Sequence, residues 1–175
     1  MSGIKKNNWR NPEEPYELFK AAQRDIITIN DSIEGKKFKV EDKVETICRC
    51  AAESTEKMLK GWIINTNYDA KVYGIHDLGK LYDIANNMNS SFSELKDKLN
   101  NLNEYTTALR YNSRSAIDEH EVKECLINLK YIYDFPLIKE TRDNLNIDNN
   151  FVKLPDNINT LFGEFGQNII STPKQ

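Results

Sequence analysis

The sequence predicts an all-α fold, an up-and-down bundle of four to five helices followed by a C-terminal extension. Three observations carry this. Apolar residues recur at a period near 3.6 through most of the chain, the alternation expected of strands is missing, and Pro15, Gly35, Gly74 and Pro136 fall at the ends of periodic segments or linkers. A chain of 175 residues, 39% hydrophobic and 29% charged, is long enough for one domain with a real core.

The first helix opens at Pro15, where a missing N–H costs nothing, and carries Phe19, Ala22, Ile26, Ile29 and Ile33 on one stripe before Gly35. A long second helix spans residues 41–64, with Val44, Ile47, Cys48, Ala51, Thr55, Met58, Leu59 and Trp62 on one broad face. The linker NTNYDAKVYG leads to a shorter helix from Asp77 with Leu78, Leu81, Tyr82 and Ala85. NNMNSS interrupts the pattern, and Ser91 with Glu94 has the spacing of a capping box for a fourth helix bearing Leu95, Leu99, Leu102, Tyr105 and Leu109. A fifth helix follows with Val122, Cys125, Leu126, Leu129, Ile132 and Tyr133, and Pro136 ends or kinks it. The expected bundle covers residues 9–140. Residues 141–175 are expected to form a partly ordered, Asn-rich appendage, with a short helix near Asn157 to Phe162 and the aromatics Phe151, Phe162 and Phe165.

Composition narrows the function. A formal net charge of −3 argues against broad, sequence-blind binding of nucleic acid but leaves room for a local basic patch. No apolar run reaches the roughly 18 residues of a membrane span, and MSGIKKNNWRNPEEP lacks the apolar segment of a signal peptide. Three cysteines form no framework pattern, so the expected setting is the reducing cytoplasm. Cys48 and Cys50, two apart on a helix, diverge and read as core residues. Two distant histidines make no metal-ligand pair, and the dispersed glycines make no phosphate loop, so no metal or cofactor is expected.

Several polar residues are candidates for chemistry. Arg49, Glu53, Lys57 and Lys60 fall within about an 80° arc of the second helix. That arc is either a cationic strip for phosphate groups or a solvated face knitted by i,i+4 ion pairs. His76 precedes a helix start, where Asp77 can cap the helix or accept from the imidazole. Arg114 and His120, separated by Ser-Ala-Ile-Asp-Glu, are residue types that could cut RNA if held together, with His120 as general acid or base and Arg114 stabilising the phosphorane. On one continuous helix the two would sit about 120° off a common side, so a turn or a partner subunit must bring them together.

The order of these pieces resembles the HEPN domain, a helical bundle linked to nucleotide binding. The residues concerned are Glu56-Lys57-Met58-Leu59-Lys60 at the end of a long helix, His76-Asp77-Leu78 after a short linker, and Arg110-Tyr111 at the end of a later helix. Trp9 and Asp25 resemble the family's opening motif, and the likeness covers about residues 9–135. The chain departs from the pattern where Ala52-Glu53 replaces a pair of glutamines and where Asn112 follows Arg110-Tyr111 in place of proline. The resemblance implies a non-catalytic module binding a nucleotide or RNA, an accessory partner of a minimal nucleotidyltransferase, with Lys57, Lys60, His76, Arg110 and Tyr111 at the ligand. It also leaves open a ribonuclease toxin or phage-defence effector acting through Arg114 and His120, as in toxin–antitoxin systems, and a purely protein-interacting bundle. Members of the family commonly dimerise, and a homodimer is expected here. Arg110-Tyr111 resembles the branch without nuclease activity, and Glu119 and Glu121 beside His120 would repel a phosphate backbone.

Overall fold

The computed structural model describes residues 14–34, 40–107 and 117–147, and every regular element among them is helical. In chain order these are α1 (Pro15–Glu34), α2 (Val40–Thr66), α3 (Leu78–Met88), a 3₁₀ helix η1 (Ser90–Leu95), α4 (Lys96–Thr107), α5 (Glu119–Tyr133) and α6 (Pro136–Asn144). The all-α bundle expected from the periodicity is what forms, and among the described residues η1 and α6 are added to the five helices that the pattern marked.

Helix α2 is the centre. It packs along α1 over most of its length and also touches α3, α4, α5 and α6. The predicted face from Val44 to Trp62 is buried, but so are Cys50, Ala52, Ser54, Glu56, Lys60, Ile63 and Ile64. A helix enclosed on most sides must satisfy its buried polar groups internally. Ser54 and Thr55 do so by donating back to the Ala51 carbonyl at 3.1 and 2.9 Å. At Gly61 the approach of α1 is so close that a Cβ would lie 2.7 Å from the buried Phe19 ring. Trp62, Phe92 and Phe135 form an aromatic run with ring centroids 4.4 and 5.0 Å apart, joining α2 to η1 and to the start of α6.

Two boundaries differ from the sequence expectation. Ser91 does not cap the fourth helix. Asn89 accepts from the Ser91 N–H at 3.0 Å and opens η1, so α4 begins only at Lys96. Asn89 can take this role because its amide reaches the amide two residues on, an Asx turn that competes with the box. Pro136 ends α5, as expected, yet also opens α6 as its first residue.

Helix α6 crosses the expected boundary at residue 141 and buries Ile138, Thr141 and Arg142. Arg142 donates to the Tyr133 carbonyl at 3.0 Å and lies 3.7 Å from the centroid of the Tyr133 ring, satisfying the end of α5. Burial pushes the Tyr133 hydroxyl up to about 12, against the opposing effect of Arg142. The helix closes in a Schellman pattern. Asn146 takes a left-handed φ of 49°, its N–H donating to the Asp143 carbonyl at 3.1 Å and that of Ile147 to the Arg142 carbonyl at 3.4 Å. Ile147 is itself buried, so the bundle continues past residue 140. The expected helix near residues 157–162 and the aromatics Phe151, Phe162 and Phe165 lie outside the described residues.

Candidate functional site at the end of helix α2

The residues at the end of α2 do not form one strip. They form two clusters on adjacent sides of the helix. On the α1 side, Lys57 donates to Asp25 at 2.5 Å and lies 3.9 Å from Glu53, which is also paired with Arg49 at 3.3 Å. Asp25 comes from α1, so this pairing joins the two helices rather than only successive turns of one. Burial raises the Asp25 carboxyl above its ordinary value of 3.8, and the hydrogen bond and charge of Lys57 oppose the rise.

On the other side, Glu56 and Lys60 are drawn into the protein. Lys60 Nζ donates to Glu56 Oε1 at 2.8 Å and to the Tyr73 carbonyl at 3.0 Å, with only 6% of the lysine side chain exposed. The segment after α2 folds back over it, held by the buried Val72. Lys60 is therefore not on a solvated face. Its charge is neutralised by Glu56, and its remaining donor capacity fixes the backbone at Tyr73.

His76 completes the second cluster. Its Nδ1 stands 3.0 Å from Glu56 Oε1 while 54% of the side chain stays open to solvent. Because a carboxylate only accepts, Nδ1 carries the proton and donates. The ring is thereby fixed with Nε2 as its second polar edge. Neutral, that edge accepts a proton; protonated, it donates to an anion.

The neighbouring residues are anchored as firmly. Asp77 caps α3 by accepting from the Lys80 N–H at 3.1 Å. The Leu78 N–H donates across to Asn103 Oδ1 on α4 at 2.8 Å, and Thr106 supports Asn103 from the next turn at 3.2 Å. So the backbone that carries His76 is tied to α2 by Glu56 and Lys60 and, two residues on, to α4.

Of the residues singled out in the sequence, the structure brings Lys60 and His76 together through Glu56 and places Lys57 in the adjoining cluster. Arg110, Tyr111 and Arg114 lie outside the described residues. His120 is the second residue of α5, with 78% of its side chain exposed and Nδ1 4.0 Å from Glu124. It borders an open cavity of about 580 Å³ with Asp118, Lys123, Glu124 and Ile127. Helix α5 starts only at Glu119, after the extended N-cap Asp118, so His120 shares no continuous helix with the residues before Asp118.

Sequence reasoning passed over two contributors. Glu56 carries the polar cluster, and its signal was the i,i+4 spacing to Lys60. Asn103, a poor helix former inside a helix, was a weaker one. A third signal concerns the fold: Asp118-x-x-Glu121 is a capping box, with both reciprocal bonds at 2.9 Å, and it sets the start of α5.

An all-α bundle built round one largely enclosed helix, with a carboxylate–lysine–histidine cluster where that helix meets a short linker, defines a small helical module. The model of the HEPN domain family matches residues 16–140, and the chain belongs to that family. No curated protein and no solved structure matches it. Among the described residues no helix is long and apolar enough to cross a membrane.

Proposed function

We propose that the protein is a non-catalytic HEPN module that binds a nucleotide or RNA through phosphate at the α2–α3 junction, as an accessory partner of a minimal nucleotidyltransferase. The observation that carries this reading is His76, half exposed, with its ring orientation fixed by a buried carboxylate that is itself held by a buried lysine. Positioned donors of this kind bind anions with little ordering cost. The exposed edge of His76 and the 27% exposed ammonium of Lys57 meet the ligand, whereas Lys60 positions Glu56 and Tyr73. Arg110 and Tyr111 join the same ligand in this proposal.

The competing nuclease reading has less support. The described neighbours of His120 include Asp118, Glu121 and Glu124, an acidic surrounding that disfavours an approaching phosphate backbone. Titration calorimetry with nucleoside phosphates and short RNA tests the proposal. Binding is expected to weaken with salt and to drop about tenfold or more in His76→Ala, the scale of one charge-assisted hydrogen bond. Heat that is absent for every ligand, or unchanged in both His76→Ala and Lys57→Ala, refutes it. The proposal includes a homodimer, which light scattering at micromolar concentration checks.

A further inference from the structure

The linker between α2 and α3 is short, pinned and aromatic. Among the described residues Tyr68 is the most exposed of the large hydrophobic side chains at 71%, and Tyr73, five residues later, is exposed at 37%. Single exposed apolar residues are ordinary on a protein surface. Two tyrosines within six residues of a tightly anchored linker are a different matter, because anchoring could as easily have buried them.

The anchoring is extensive. At the start, the Asn67 N–H continues the helical pattern to the Ile63 carbonyl at 2.8 Å, and the Asn67 side chain accepts from the Asp69 N–H at 3.2 Å. In the middle, Val72 is buried and the Tyr73 carbonyl accepts from Lys60. The Ile75 N–H closes a turn onto the Val72 carbonyl at 3.1 Å, placing Tyr73 and Gly74 at its tip. At the end, Glu56 holds His76. A Cβ on Gly74 would meet nothing within 4 Å, so the tip of the turn faces open space.

We infer that this linker is a stacking platform for unpaired bases, on which Tyr68 and Tyr73 present ring faces to single-stranded RNA while Lys71, His76 and Lys80 meet the flanking phosphates. The inference rests on the proposed function and specifies its ligand class. A base stacks on any open aromatic face, and the gain is sequence-tolerant because every base has a π-face. Tyrosine suits the task, since it offers a large surface with few rotatable bonds. The interleaved charges favour a nucleic acid over a protein partner. Lys71, His76 and Lys80 are all exposed against one exposed carboxylate of the segment, Asp69, since the carboxylate of Asp77 is engaged in capping α3 and in accepting from Asn103 at 3.4 Å. A duplex stacks its bases on one another and shows the platform only its backbone, so the linker distinguishes single strands from paired ones.

Fluorescence anisotropy with a short labelled RNA of mixed sequence, free and annealed to its complement, tests the inference on the full chain. The single strand is expected to bind more tightly than the duplex. Tyr68→Ala and Tyr73→Ala are each expected to weaken single-strand binding by roughly 5- to 150-fold, the range measured for base–aromatic stacking elsewhere. Tyr68→Phe and Tyr73→Phe keep the ring and should restore it. Far-UV circular dichroism of each variant establishes that the bundle is intact, as expected for exposed positions. If both alanine variants bind like the wild type while His76→Ala does not, the platform is wrong and the phosphate site stands. Equal affinity for single strand and duplex also overturns the platform. A wild-type chain that binds neither RNA nor any nucleotide sinks the platform and the proposed function together, and leaves the aromatic tip to a protein partner.

Discussion

Replacing Glu56 by glutamine isolates the electrostatics of the α2–α3 junction with almost no change in shape. The substitution keeps an acceptor for Lys60 and for His76 but removes the negative charge. Lys60, 6% exposed, would then hold an ammonium group inside the protein with only the amide and the Tyr73 carbonyl to solvate it. Breaking a buried ion pair by removing one partner costs about 3–5 kcal/mol, far more than the same change on the surface. Because the glutamine still accepts one hydrogen bond, the lower end, about 3 kcal/mol, is expected. In a domain of this size that corresponds to a fall in Tm of about 6–12 °C. Urea denaturation followed by circular dichroism would read it directly. A companion pair separates charge from packing: Lys60→Met alone leaves the carboxylate buried, whereas Glu56→Gln with Lys60→Met removes both charges. The double variant is expected to be more stable than either single one, since replacing a whole buried pair is often neutral. A Glu56→Gln cost below about 1 kcal/mol, the range of an exposed pair, or strictly additive variants, would show that water reaches the pair and that the buried-pair reasoning fails.

Other expectations follow from the packing. Gly61→Ala gains about 1 kcal/mol of helix propensity but drives a methyl group to 2.7 Å from the enclosed Phe19 ring, an overpacking cost of about 1–3 kcal/mol, so a net loss of stability in chemical denaturation is expected. Asp25, whose pKa burial raises above 3.8, binds its proton more tightly in the folded chain, so its contribution to stability is fullest below that value and falls as pH rises through the raised one. Asp25→Asn removes this titration, and its stability relative to wild type should therefore improve on going from pH 3.5 upward; a difference independent of pH would refute the assignment. Burial holds the Cys50 thiol up at about 11, and Cys48 and Cys125 are buried as well, so a thiol reagent at neutral pH should label the native chain slowly and three cysteines once it is unfolded. Incubation with total RNA is expected to give no cleavage, and cleavage that vanishes in His120→Ala would establish the nuclease reading instead.

The helices were legible because burial and period coincide along them. Phe19, Ala22, Ile26 and Ile29 on α1, and Val122, Cys125, Leu126, Leu129 and Ile132 on α5, lie on the stripes that the spacing marks, and all are buried. Local rules, applied without regard to the rest of the chain, were enough for those elements. They failed where two local rules competed, as at Asn89 and Ser91, and at Pro136 they marked the end of α5 without the start of α6. The family could also be read from the sequence, because its motifs are short runs in a fixed order.

The site is a different case. On a helical wheel Lys57 and Lys60 look alike, and both belong to one charged arc. What separates them is that α1 brings Asp25 to Lys57, while the chain after α2 folds over Lys60 and carries the Tyr73 carbonyl to it. Glu56, one residue from Lys57 in the sequence, becomes the common partner of Lys60 and His76 only once that linker has turned back. By itself the sequence determined the helical period, the core stripes and the order of the motifs, since each depends on residues within a few turns of one another. Which charges are buried and paired and which face the solvent was decided by the tertiary structure alone, because desolvation depends on what covers a group, and the covering segments come from elsewhere in the chain.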